Sequence, residues 1–149
     1  MVKSKWKVAT LGGSPDEVEA ALYEAMQKGN LEQFMACWSD DEDIVCVHPG
    51  GPRIVGHEAI RQSFETLFES GAIMAKPESI RQVTSLTSSV HNLVERVRID
   101  TPQGPREAVV LATNVYHRTP QGWRLVLHHA SPASEQDLQH GSDAPAILH

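Results

Sequence analysis

RIDTPQGPREAVVLATNVYHRTPQGWRLVLHHA, residues 98–130, contains one four-residue corner twice: Thr101-Pro102-Gln103-Gly104 and Thr119-Pro120-Gln121-Gly122. Proline followed by glutamine suits a type I turn, and the glycine can take the left-handed conformation that makes a bulge. The flanking residues are β-branched and alternating, which predicts strands over 90–100, 106–118 and 123–131. Two such corners make these strands an antiparallel meander. A further strand is predicted near 79–88. The repeat is one of turn chemistry and not of a domain.

With a three-residue loop at each corner, Thr101 opposes Pro105 and Thr119 opposes Trp123, so opposed residues share parity. The even face then collects Val94, Arg96, Arg98, Val110, Ala112, Asn114, Tyr116, Val126, His128 and Ala130. The odd face collects Leu93, Val97, Ile99, Val109, Leu111, Val115, Trp123, Leu125 and Leu127, with Glu95, Thr113, His117 and His129 among them. One face is apolar; the other resembles a furnished cavity. Parity leaves two arrangements open. The helices pack on the odd face as core, or they fold over the even face and the odd face meets a second copy of the chain.

Upstream, Ser14-Pro15-Asp16-Glu17 supplies a capping serine, a first-turn proline and a glutamate three residues after the cap. Val18, Ala21, Leu22, Ala25 and Met26 follow as an apolar helical stripe that Gly29 ends. Asn30 can cap a short second helix with the stripe Leu31, Phe34, Met35 and Trp38. Ile44 to His48 reads as a first strand, Arg53 to Val55 as a short return strand, and Gly56 opens a third helix with the stripe Ile60, Phe64, Leu67 and Phe68. Helices followed by a sheet is an α+β pattern. The reading divides the chain into an N-terminal arm (1–13), a single domain (14–132) and a loose C-terminal tail (133–149).

Bulk composition narrows the function. At 149 residues with 40% hydrophobic and 21% charged content, the chain is one globular domain. A formal charge of −6 argues against a nucleic-acid partner, which requires a basic face. No apolar stretch approaches the roughly 20 residues that span a bilayer. Cys37 and Cys46 form neither a zinc pattern nor a disulfide framework, so a cytoplasmic protein with reduced core thiols is expected.

Several ordered stretches resemble the SnoaL-like branch of the nuclear transport factor 2-like superfamily: Trp38-Ser39-Asp40 followed by Val47-His48-Pro49-Gly50, Val55-Gly56-His57-Glu58-Ala59-Ile60, Ala112-Thr113-Asn114-Val115-Tyr116, and Gly122 through Pro132. The resemblance runs from about Tyr23 to Pro132. It implies a cone-shaped fold in which three N-terminal helices pack on a curved, mostly antiparallel sheet around a pocket, with homodimers formed through the sheet. The superfamily hosts isomerases, dehydratases, cyclases and hydrolases as well as members without catalysis. Tyr23-Glu24-Ala25, Gly29, the 113–116 step and Trp123 to Ser131 also resemble the association (hub) domain of calcium/calmodulin-dependent kinase II. In that domain three arginines line a pocket for small carboxylates. Arg98 matches the first, whereas Asn114 and Ala130 stand at the other two positions. All three are even-numbered, so the resemblance places the pocket on the even face and implies a dimer across the odd one.

The candidate site follows from that placement. His48, at the pocket rim that the resemblance implies, can act as acid, base or hydrogen-bonding group, or else ends its strand bonded to backbone. His128 and Tyr116 share the even face and complete the candidate catalytic set with His48. Trp38, Arg98, Asn114 and His129 are candidate ligand-binding residues, with Asp100 the mundane partner of Arg98. His129 points away under this register and enters through the family-like His-His-Ala-Ser motif. Adjacent histidines on opposite strand faces cannot ligate one ion, so no metal is expected. Gly12-Gly13 and Gly50-Gly51 lack the lysine and the strand–helix context of a phosphate-cradling loop, and no cofactor is expected. The expected function is binding of a small, partly polar organic molecule, with cofactor-free isomerase, dehydratase or hydrolase chemistry; the alternative is a non-catalytic ligand-binding or oligomerisation module. Isomerases and cyclases of the superfamily resemble one another in using a pocket carboxylate as base. The even face of the meander offers only Asp100, with Glu95 expected on the other side.

Overall fold

The computed structural model of the protein describes residues 12–134, 136 and 137. The predicted N-terminal arm therefore lies almost wholly outside the described residues, as does most of the predicted tail.

Helix starts follow the predicted chemistry. The Ser14 hydroxyl accepts from the Glu17 amide at 3.1 Å, Pro15 opens helix α1 (Pro15–Lys28), and Gly29 closes it at φ 63°. Asn30 caps α2 (Leu31–Ala36) by accepting from the Gln33 amide. Helix α3 (His57–Glu69) follows Gly56 and has no side-chain cap. Asp16, Glu19, Tyr23 and Gln27 of α1 reach Gln82, Tyr116, Glu95 and Ala75, so the helix lies across the sheet from its third to its fifth strand.

The strands are β1 (Val45–Val47), β2 (Arg53–Val55), β3 (Met74–Thr84), β4 (Ser88–Thr101), β5 (Gly104–Thr119) and β6 (Gly122–Pro132). They form one sheet in the order β2-β1-β6-β5-β4-β3, parallel only between β1 and β6 and antiparallel elsewhere. The expectation of a cone-shaped, curved sheet is corrected here. The sheet is open: among the described residues it runs from edge strand β2 to edge strand β3, and no ladder joins those edges to close it. What stands is an α+β fold with a mixed, antiparallel-dominated sheet and, among the described residues, three helices.

Strand β3 begins five residues earlier than the predicted 79; Lys76-Pro77-Glu78 lacks the apolar alternation from which that start could be read. Pro77 is tolerated because β3 is an edge strand. A bulge between Glu78 and Arg81 then places Ser79 at φ 55°.

The corners also correct the predicted register. Thr101 pairs with Gly104 and Thr119 with Gly122, one residue tighter than expected. Both glycines are left-handed, at φ 109° and 106°, and each threonine hydroxyl donates to the glycine carbonyl across its corner. Parity therefore inverts between β4 and β5: Asn114 opposes His91, Ala112 opposes Leu93 and Val110 opposes Glu95. Near the second corner Tyr116 opposes Leu125; a bulge leaves Val126 without a direct partner, after which Asn114 opposes His128.

The helix-covered face accordingly carries Leu93, Ala112, Tyr116, Leu125, Ala130, Cys46 and Ala75, which pack with Val18, Leu22, Met26, Phe34, Trp38, Ile60 and Phe64 in one core. The odd residues of β4 and the even residues of β5 lie on this same side.

Candidate functional site

Buried polar groups interrupt the core where α1 crosses β4 and β5. Glu19 and Tyr23 lie one helical turn apart on the inward side of α1, together with Leu22 and Met26. Below them the sheet presents His91 and Glu95 from β4, Asn114 and Tyr116 from β5, and His128 from β6. Glu19, His91, Glu95 and Asn114 are all buried.

Apart from His91, whose ring nitrogens are both without a hydrogen-bond partner, the groups satisfy one another closely. The Tyr116 hydroxyl donates to Glu19 Oε2 at 2.7 Å, and Asn114 Nδ2 donates to the same oxygen at 3.2 Å. Asn114 Nδ2 also donates to the Tyr23 hydroxyl at 3.1 Å, and Tyr23 donates to Glu95 Oε2 at 2.5 Å. His128 Nδ1 lies 2.6 Å from Asn114 Oδ1. His91 Nδ1 is 3.0 Å from Glu19 Oε1 without the alignment of a hydrogen bond.

Burial divides the two carboxylates. It pushes the Glu95 carboxyl above the usual carboxylate range; the Tyr23 bond pulls it back, and the negative Glu19 pushes it further up. Burial pushes Glu19 upward as well, yet His91, the Tyr116 hydroxyl and Asn114 together hold it below its ordinary value. Burial drives His128 down to about 4, helped by neighbouring His129, so its ring is neutral at physiological pH. His48 is also lowered, by burial and then by His128, with Glu95 acting in the opposite sense.

The residues predicted for the site separate into two groups. Asn114, Tyr116 and His128 meet in this cluster. His48 is half-buried at the end of β1, with Nε2 3.2 Å from Ser63 Oγ and its ring 5.1 Å from that of Phe64. Trp38 is buried edge-on to Phe34 and bridges to Leu125, and its indole Nε1 has no hydrogen-bond partner.

Arg98 and His129 stand elsewhere. The Arg98 side chain is 65% exposed on the opposite face of the sheet and lies 3.7 Å from Asp100. His129 opposes Val47 and Thr113 and is exposed. The tighter first corner moved Arg98 outward, and the same shift brought Glu95 inward. A depression of about 190 Å³, lined by Ser79, Arg81, Asn92, Val94 and Leu111 among others, lies beside the β3 bulge and shares no residue with the cluster.

Four cluster members are not among the residues predicted for the site: Glu19, Tyr23, His91 and Glu95, the last expected on the opposite face. A signal existed for the first two, since Glu19 and Tyr23 fall at i, i+4 within the inward stripe of α1.

Residues 16–135 match the family model described as the SnoaL-like domain. The chain belongs to the SnoaL-like domain family. Its fold is that of the nuclear transport factor 2-like superfamily, with similarity to kinase association domains. This SnoaL-like domain is 31% identical to a candidate calcium/calmodulin-dependent protein kinase type II association domain from Thiobacillus denitrificans, with 82% of this chain and 97% of that one covered at a TM-score of 0.73. It is 27% identical to a candidate dehydratase of the nuclear transport factor 2-like family from Streptomyces avermitilis, covering 78% and 92% of the two chains at a TM-score of 0.71. The kinase II hub of S. rosetta shares its fold at 18% identity, covering 81% and 98% at a TM-score of 0.64. No curated protein matches this chain. Among its described residues, no helix is long and apolar enough to cross a membrane and no group of three or more His, Cys, Asp or Glu is arranged to hold a metal ion.

Proposed function

We propose that this SnoaL-like domain binds a small, partly polar organic molecule beside Glu95, His128 and His48, and moves a proton on it without a cofactor. One observation carries the reading: Glu95 is a carboxyl buried in the core with its pKa raised, and two histidines lowered by burial stand near it. A carboxylate tuned toward neutrality is an efficient proton acceptor in water, and neutral imidazoles can receive or relay the proton. Tyr116 and Asn114, proposed from sequence as groups contacting the ligand, act instead through Glu19 and His128 as positioning residues. The similarity to a candidate dehydratase supports this class of chemistry. Two buried free thiols support a reducing, cytoplasmic setting.

The test is proton exchange. Small cyclic ketones incubated with the protein in D2O should gain deuterium at the α-carbon, followed by NMR, at a rate that Glu95→Gln lowers about 100-fold or more. Equal exchange by protein, variant and buffer would remove the catalytic part of the reading.

A second reading, a non-catalytic binding or assembly module, is favoured by the likeness to the association domain from Thiobacillus denitrificans. Val109, Leu111, Val115 and Leu127 form an apolar row on the uncovered face of the sheet, each only partly buried in a single chain. That row supports a homodimer through the sheet. Light scattering should return twice the chain mass, and Val115→Glu should return the monomer; a monomeric wild-type protein would dismiss the dimer.

A further inference from the structure

The hydrogen bonds of the cluster have a fixed direction. Asn114 Nδ2 spends both protons, on Glu19 Oε2 and on the Tyr23 hydroxyl. Turning the amide over would set its oxygen against a carboxylate oxygen and against a hydroxyl whose proton already goes to Glu95. Asn114 Oδ1 is thus an acceptor, and the 2.6 Å contact requires the proton on His128 Nδ1. A neutral ring protonated there leaves Nε2 as a bare acceptor.

That acceptor faces another. His128 Nε2 lies 4.0 Å from Glu95 Oε2, an oxygen that accepts from Tyr23. The separation is too long for a direct bond. An atom about 2.8 Å from both would see them at an angle of about 90°, close to the spread of two protons on one nitrogen, given their 4.0 Å separation. A hydroxyl has one proton to give and a carboxylate none. Glu19, held below its ordinary value, makes the surroundings negative, and among the described residues neither lysine nor arginine belongs to the cluster. The two side chains are 11% and 8% exposed, so a ligand placed between them must have a slim head group.

We infer that the site takes a primary amine, whose nitrogen bridges His128 Nε2 and Glu95 Oε2. This rests on the small-molecule site proposed above and names its ligand class. In the free protein a water molecule can supply the same two protons, and the amine displaces it.

The inference is tested with propylamine, 1-propanol and propionate, which share a carbon chain and differ in head group. Each is titrated at neutral pH into the full-length protein labelled with 15N, with the His128 ring nitrogens observed. Propylamine should shift Nε2 and bind at least tenfold more tightly than the alcohol, with propionate weakest. Glu95→Gln should weaken propylamine at least tenfold while His128 keeps its Nδ1 proton; should that variant not fold, the comparison on the wild-type protein decides alone. Propionate binding as tightly as propylamine, or propylamine binding unchanged in Glu95→Gln, overturns the amine assignment and leaves the proton-exchange reading intact. Silence of His128 toward all three overturns the assignment together with the site it rests on.

Discussion

Tyr23 and Glu95, 72 positions apart, are joined by a 2.5 Å hydrogen bond that ties helix α1 to the fourth strand inside the core. The bond connects two roles. It stabilises the docking of α1, and it limits how far burial raises the Glu95 carboxyl.

Removing that hydroxyl should show in both. Tyr23→Phe leaves Glu95 without its donor and Asn114 with one acceptor fewer. Unfolding in urea should report a loss of about 1–3 kcal/mol. The 13C-detected titration of Glu95 should move to higher pH, since the Tyr23 bond acts to lower it. A titration unmoved or moved downward would contradict the assigned direction of the bond.

His128 should make stability fall on acidification. Facing it are Glu95 from β4, Asn114 from β5, Cys46 from β1 and His48 just beyond it, and Glu19 and Tyr23 from α1. Its folded pKa of about 4 lies below the ordinary 6.5, so between those values the unfolded chain gains a proton that the native ring refuses. Its contribution is complete above the upper value and is lost as pH falls toward the lower one, roughly 3 kcal/mol in all. Glu95, with a raised pKa, contributes in the opposite sense and loses stability as pH rises through its folded value. Comparing wild type with His128→Asn across this range isolates the histidine: the gap between the two stability curves should change with pH, and parallel curves would exclude the effect.

The two corners, identical in sequence, should differ in tolerance. A Cβ added at Gly104 meets nothing within 4 Å, so Gly104→Ala pays only for its positive φ, roughly 1–2 kcal/mol. At Gly122 it would stand 2.8 Å from backbone atoms of Gly12. Thermal unfolding should therefore show Gly122→Ala the more damaging by about 1 kcal/mol or more. Equal losses would mean that the Gly12 backbone yields freely.

Arg98 should prove dispensable. Its side chain is 65% exposed beside an 87% exposed Asp100, so Arg98→Ala should change stability by less than about 0.5 kcal/mol. Ligand titrations at His128 should be unaltered. A binding defect in this variant would place a ligand on the outer face.

Local chemistry was legible in the sequence and long-range register was not. Ser14, Pro15, Gly29 and Asn30 announced the first two helices because caps are decided within a few residues. Both corners were recognisable as glycine-dependent turns, but a loop shorter by one residue reversed the faces of β4 relative to β5. That single step exchanged Arg98 for Glu95. On β6 the unpartnered Val126 restores the expected parity, which is why His128 shares a face with Asn114 as the sequence implies. Bulges of this kind depend on packing across the whole sheet, and no local motif marks them.

Among the described residues strand β3 has one side with no neighbour, yet its sequence makes it a poor template. Pro77 offers no amide proton, and the kink at Ser79 breaks the line of the backbone, so an incoming extended segment finds only the short stretch beyond it straight enough to zip onto. There the greasy side chains of Ile80 and Val83 are 41% and 75% exposed. Straightening this margin, by replacing Pro77 and relaxing the kink together, would convert a protected border into a seed for filament growth.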